Sequence, residues 1–300
     1  MSMTPMFRGT IRHCQLLVPI GSLGLLACLV FAGFLQGAAI KDEPFANMDF
    51  VRIEPGEFRM GCSIGDDKCG DSEKPPHMVR ITRAFELQAK PVTEEQWKKV
   101  MGRDASSLVM GKKFTAKVSW DDAQRFLKKL NAKKDGYQYR LPTEAEWEYS
   151  ARNETKDPNS ATPEDFAVYG ENTGSRGGGS RLDVIIIKSG NRMACGDNGK
   201  LPPCPGGELG KPNARGLFRM LGNSQEWVQD TYGPYSGDLQ TDPQGPPVGS
   251  RKVVRGFNWG APFAGMVFPA SRVSARIGWE SDTTELFSFR CVMEPKEGVR

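Results

Sequence analysis

The sequence predicts a single compact α+β domain of low regularity, spanning residues 46–294 behind an N-terminal export segment. Three observations carry this expectation. Short helix-period segments with their own start signals are interleaved with short strand-like alternations. The 34 glycines and 21 prolines imply many turns and few long helices. No internal repeat appears, and no linker is long enough to divide the chain into further domains.

The elements follow in order. Residues 48–60, "MDFVRIEPGEFRM", read as two short strands around the turn "EPGE". "PHMVRITRAFEL" continues the alternation. Three helices come next. "VTEEQWKKVM" starts at Thr93, with Gln96 completing a capping box. "SWDDAQRFLKKLN" starts at Ser119 and places Trp120, Ala123, Phe126, Leu127 and Leu130 along one apolar stripe. "LPTEAEWEYSAR" has Thr143 at its cap and Glu146 returning to it. Residues 152–215 are loop-rich, with "DVIIIKSG" as a single short strand, and a Pro/Gly-rich loop covers 233–250. Strand-like runs at 251–259, 268–277 and 286–293 close the chain.

Residues 1–39 form a leader. Arg8, Arg12 and His13 precede the apolar run "QLLVPIGSLGLLACLVFAGFLQGAA", and small residues at Gly37 and Ala39 suit cleavage near Ala39. The run is also long enough to span a bilayer, so an uncleaved anchor is the rival reading. Lipidation of Cys28 in "LLAC" is opposed by the apolar residues that follow it. Each reading places the folded part in the periplasm or otherwise outside the cytoplasm. The formal charge of +4, lowered to about +2 without the leader, provides no electrostatic footprint for nucleic acid.

Beyond the leader the cysteines are Cys62, Cys69, Cys195, Cys204 and Cys291. Cys62 and Cys69 bracket one short loop and Cys195 and Cys204 another, which in an exported chain reads as two local disulfides. Zinc is the alternative, but neither pair has CxxC spacing and His77 is the only histidine beyond the leader. Cys291, in the alternating "FSFRCVM", is expected as a buried thiol outside both bridges.

The order "FVRIEPGEFRMG", "EKPPHMVRITRAFELQAKPVTEEQW", "VSWDDAQRFL", "YRLPTEAEWEYSAR", "PNARGLFRMLGNSQEWVQD", "VVRGFNW", "SFRCV" resembles the formylglycine-generating-enzyme (sulfatase-modifying factor) superfamily. The resemblance implies a fold with topology related to C-type lectins; the chemistry has to be argued from the site. In active members two cysteines in and just after an "RGGSW" strand bind copper(I). Their counterparts here fall near Ala261 and Met266, and the serine of that motif becomes Asn258. Alanine offers no ligand and a thioether is no thiolate, so neither copper nor formylglycine production is expected. The three-histidine iron site of the sulfoxide-synthase branch cannot be built with one histidine. His77, a polar loop position in "EKPPH", is read as structural, with acid–base work as the alternative.

The family's calcium loop, "GLYDMVGNVWEW", maps onto Gly222, Ser224 and Glu226 as ligands, but its fourth position is Arg219. Hard cations need oxygen donors. Either Arg219 replaces the ion by pairing with Glu226, or other oxygens rebuild the site. Asn191, Asp197 and Asn198 are candidates for a second calcium site. Trp227, Asn258, Trp259, Arg272 and Arg276 are the candidate binding residues of an old cleft suited to an anionic or peptide ligand. Their bland reading is a tryptophan core with structural ion pairs.

Three functions compete. The first is an exported non-catalytic binding or regulatory protein with a cell-envelope partner. The resemblance extends to members acting upstream of a membrane Ser/Thr kinase that controls type VI secretion, so the periplasmic part of such a kinase is the partner it implies. The second is a periplasmic tailoring enzyme with altered chemistry, of the kind needed for pyoverdine chromophore maturation. The third, a carbohydrate binder, rests on lectin-like topology alone.

Overall fold

The computed structural model describes residues 45–105, 115–152, 212–221, 224–256, 272–283 and 287–296, and the backbone alone at 40–43, 183–188 and 191–196. The chain divides into Met1–Gln36 and Gly37–Arg300, and everything described lies in the second unit. The leader therefore falls outside the described residues, as do Gly222 and residues 257–271.

In chain order the first strands are β1 (Ile40–Glu43), β2 (Met48–Ile53), β3 (Gly56–Met60), β4 (His77–Ile81) and β5 (Phe85–Gln88). Two helices follow, α1 (Glu94–Met101) and α2 (Trp120–Asn131), then β6 (Tyr137–Arg140) and α3 (Glu144–Ala151). The hairpin β7 (Asp183–Lys188) and β8 (Asn191–Gly196) precedes β9 (Glu226–Thr231), β10 (Gln240–Thr241) and β11 (Arg251–Arg255). The last strands are β12 (Arg276–Glu280), β13 (Ser288–Phe289) and β14 (Val292–Pro295). Apart from the hairpin, they form three sheets among the described residues: β1-β2-β5-β14-β6, β12-β11-β9-β13 and β10-β4-β3. This is the mixed, low-regularity α+β architecture that the sequence predicts.

The helix starts form as their sequences dictate. Thr93 Oγ1 accepts from Gln96 N at 3.2 Å while Gln96 Oε1 accepts from Thr93 N at 3.0 Å. Thr143 and Glu146 repeat that reciprocal pair at 3.1 and 2.8 Å, and Ser119 accepts from Asp122 N at 3.0 Å. The stripe of α2 packs Phe126 against Trp97 at 5.5 Å and Phe289 at 5.3 Å, in a core that includes Trp227 and Cys291. A second core gathers Phe58, Val79, Leu87, Trp147 and Val253. Helix α3 is buried along all eight residues, so its glutamates lie inside the protein.

Two elements differ from expectation. β2 and β3 are both present but join different sheets, because β2 pairs with β1 and β5 while β3 pairs with β4. "DVIIIK" is one arm of a hairpin with residues 191–196, not a single strand; polar Asn191 and Arg192 interrupt the alternation that would have marked its partner. Cys62 and Cys69 form the expected disulfide, with Cα atoms 5.7 Å apart. Cys291 lies buried as a thiol, and Cys204 and the Cys195 side chain lie outside the described residues.

Candidate functional site

Helix α3 organises a buried charge network. Glu144 and Glu148 stand one turn apart on the helix, so both project to one side. On that side β11 and β12 place Arg255 directly opposite Arg276 in register. Two adjacent guanidinium groups in a dry interior require carboxylates between them. Arg276 grips Glu144 with Nε at 2.6 Å and Nη2 at 2.8 Å, the bidentate geometry that suits a guanidinium. Arg255, fully buried, reaches Glu144 at 3.3 Å and also donates to Glu148. Glu148 accepts from Arg152 at 2.6 Å and from Gly61 N at 2.8 Å, which ties the disulfide loop to the network. Arg272 extends it outward, meeting Glu73 at 2.6 Å and Asp66 at 3.0 Å.

Beside this network is a pocket of about 270 Å³. Asp230, Glu144, Arg276, His77 and Tyr235 are in its wall, with Gln240, Gln244 and Gly245 from the loop after β9. That loop is anchored by β10, which pairs in parallel with β4. It closes tightly over Asp230: a Cβ on Gly245, whose φ is +72°, would lie 2.9 Å from the Asp230 Cβ. Asp230 is 3% exposed, and its Oδ2 accepts the Glu144 N–H at 2.7 Å. Burial, and then the charge of Glu144, push its carboxyl up to about 8. The Tyr235 hydroxyl donates to Glu144 Oε1 at 3.0 Å, and its ring lies 4.1 Å from the Arg276 guanidinium. His77 is buried, with Nδ1 3.1 Å from the Pro75 carbonyl and its ring edge-on to Tyr235 at 4.9 Å. A carbonyl only accepts, so in the neutral ring Nδ1 carries the proton and Nε2 is the acceptor.

The loop before β9 corrects one expectation. The cation that meets Glu226 is Arg290, with Nε and Nη2 each 2.7 Å from its oxygens, and not Arg219. Trp147 Nε1 donates to the same carboxylate at 3.0 Å. Arg219 is 5% exposed at φ +61°, and burial followed by repulsion from Arg290 lowers its guanidinium to about 10. Lys117 donates to Ser224 Oγ, and burial lowers its ammonium to about 8. A calcium site would need oxygens facing an empty centre. Among the described residues, Lys117 and Arg290 meet this loop and Glu226 is already engaged. The described side chains therefore do not offer the oxygen set that calcium needs; Gly222 lies outside the described residues.

The binding residues expected from the sequence are only partly brought together. Trp227 is fully buried, donates to the Val118 carbonyl at 2.9 Å and packs edge-on against Phe287, so it is core and not a pocket wall. Arg272 and Arg276 are ion-paired, and Arg276 alone of these reaches the pocket. Asn258, Trp259, Ala261, Met266, Asp197 and Asn198 lie outside the described residues, as does the side chain of Asn191. Sequence reasoning missed Glu144, Asp230 and Tyr235. The i,i+4 spacing of Glu144 and Glu148 was a usable signal; Asp230, in "EWVQD", carried none, because its burial depends on a loop that returns from 245.

The family model of the sulfatase-modifying factor enzyme 1-like domain matches residues 36–295, so the chain belongs to the formylglycine-generating-enzyme family. The formylglycine-generating enzyme of Streptomyces coelicolor is 26% identical over 262 residues, covering 70% of this chain and 78% of that protein. A Chlamydia pneumoniae protein named serine/threonine-protein kinase pkn1 is 28% identical over 254 residues, 74% of this chain but 35% of its own length. Among solved structures, Treponema denticola variable protein 1 superposes with a TM-score of 0.64 at 23% identity, covering 85% of this chain and 99% of its own. PvdO from Pseudomonas aeruginosa superposes with 0.61 at 21% identity, covering 86% and 99%. At these identities the two structures establish the fold.

Proposed function

We propose that this protein is an exported binding or regulatory member of its family and does not make formylglycine. The carrying observation is the state of its thiols. By the resemblance, the family's copper positions fall near Ala261 and Met266. Among residues with described side chains, the cysteine outside the disulfide is Cys291, which is 0% exposed. Its backbone is held between Gln88 N at 2.8 Å and Gln88 Oε1 at 3.1 Å, so it is fixed in the core away from any substrate. A thiolate that activates oxygen needs access and an electropositive, partly exposed setting. The similarity to part of a kinase-named protein supports a partner in kinase signalling at the cell envelope.

The test is direct. Full-length protein is incubated with copper and a cysteine-containing sulfatase peptide, and the peptide is weighed by mass spectrometry. No conversion is expected; appearance of the aldehyde product would overturn the reading. A second reading, a tailoring enzyme resembling PvdO, draws support from the pocket, where Asp230 and His77 could exchange protons with a ligand. Loss of siderophore maturation on deletion, restored by wild type but not by Asp230→Asn, would favour it.

A further inference from the structure

We propose that the pocket over Asp230 binds a small cationic ligand carrying a protonated amine or guanidinium group. The inference deepens the binding reading above by assigning a ligand class to this pocket, and it rests on that reading. It does not involve the region matched to the family's copper thiols.

The argument is a census of donors and acceptors. Arg276 turns its nitrogens into the protein, Nε and Nη2 to Glu144 and Nη1 to the carbonyls of Ser72 and Gly233 at 3.1 and 2.8 Å. The Tyr235 O–H is directed to Glu144, and the Glu144 N–H to Asp230 Oδ2. His77 Nδ1 is directed to Pro75. What these lining side chains leave for an occupant is Asp230 Oδ1 and His77 Nε2 of the neutral ring. No hydrogen bond is made to Asp230 Oδ1 among the described residues, and it becomes an acceptor once the carboxyl gives up its proton. Gln240 and Gln244 at the wall can serve either role. No lining cation is left for an anion to pair with, since the nitrogens of Arg276 are all engaged. An ammonium, by contrast, would take the place of the Asp230 proton and gain a carboxylate partner.

Electrostatics point the same way. Asp230 faces Glu144 and Glu146 on α3, Arg276 on β12 and Lys252 on β11, with His77 across the pocket. Burial first, and then Glu144 and Glu146, raise its proton affinity while Arg276 lowers it, so a cation supplied by a ligand offsets a desolvation and repulsion that the protein leaves in place. Binding therefore displaces the Asp230 proton near neutral pH. The volume of about 270 Å³ suits a fragment-sized molecule, such as a short diamine or an amino acid amide.

The probe is putrescine, with 1-butanol and butyrate as neutral and anionic controls, titrated calorimetrically into the full-length protein at neutral pH. Saturable binding of putrescine alone is expected, with a heat that changes with the ionisation enthalpy of the buffer because a proton is released. Asp230→Asn should weaken it about tenfold or more, the cost of leaving a buried charge without its partner. Gln244→Lys, at an exposed position on the rim, should weaken it by adding a competing cation without touching the core. No saturable binding of putrescine, equal binding of either control, or affinity unchanged in both variants would overturn the proposal. These results are separate from peptide oxidation, so failure of the pocket and failure of the non-oxidase reading are distinguishable.

Discussion

Asp230 has one oxygen on the Glu144 amide and is 3% exposed, so its ionisation is coupled to folding. Its native carboxyl holds a proton up to about pH 8, whereas the ordinary value is 3.8. Between those values the folded state binds more protons than the unfolded chain, so this group's contribution is complete below about pH 4 and is lost as pH rises through 8. Asp230→Asn removes that dependence. Thermal melts from about pH 6 to pH 9 should show the wild type losing more stability than the variant. Parallel curves would show that Asp230 does not carry the slope. This residue also marks a limit of sequence reading. Its neighbours in the chain say strand, but what buries it is Gly245, brought back by a loop whose anchoring on β4 no local pattern reveals.

Helix α3 shows the opposite case. Its start was legible because a capping box is a local device: Thr143 and Glu146 satisfy each other's amides without reference to the fold. That it is buried on all sides was not legible, since nothing local to its glutamates shows that Arg255 and Arg276 are placed against them. The two kinds of interaction differ in magnitude. Thr143→Ala should cost about 1 kcal/mol, the usual value of an N-cap. Glu148→Ala leaves Arg255 buried without its main counter-charge and frees Gly61 N, and should cost about 3–5 kcal/mol. Denaturant unfolding of both variants checks the order. Equal losses would mean that the network contributes no more than a cap.

At the scale of the whole molecule the family scaffold is kept, while the loss of the family's copper chemistry is our proposal. The fold was legible because many short motifs occur in a fixed order along the chain. The calcium loop was only half legible: Arg219 was visibly wrong for a ligand, but the cation that takes Glu226 is Arg290, which is 64 residues away in sequence. With Arg290 and Lys117 on the loop, the melting temperature should be the same in calcium and in chelator; a sharp fall in chelator would show that calcium is bound. The claim that matters most is that this member lacks the copper centre of its catalytic relatives, and it is tested by titrating the full-length protein with copper(I) in competition with a chromophoric chelator. The account predicts that the protein leaves the chelator–copper complex intact; withdrawal of one copper(I) per chain with tight affinity would contradict it.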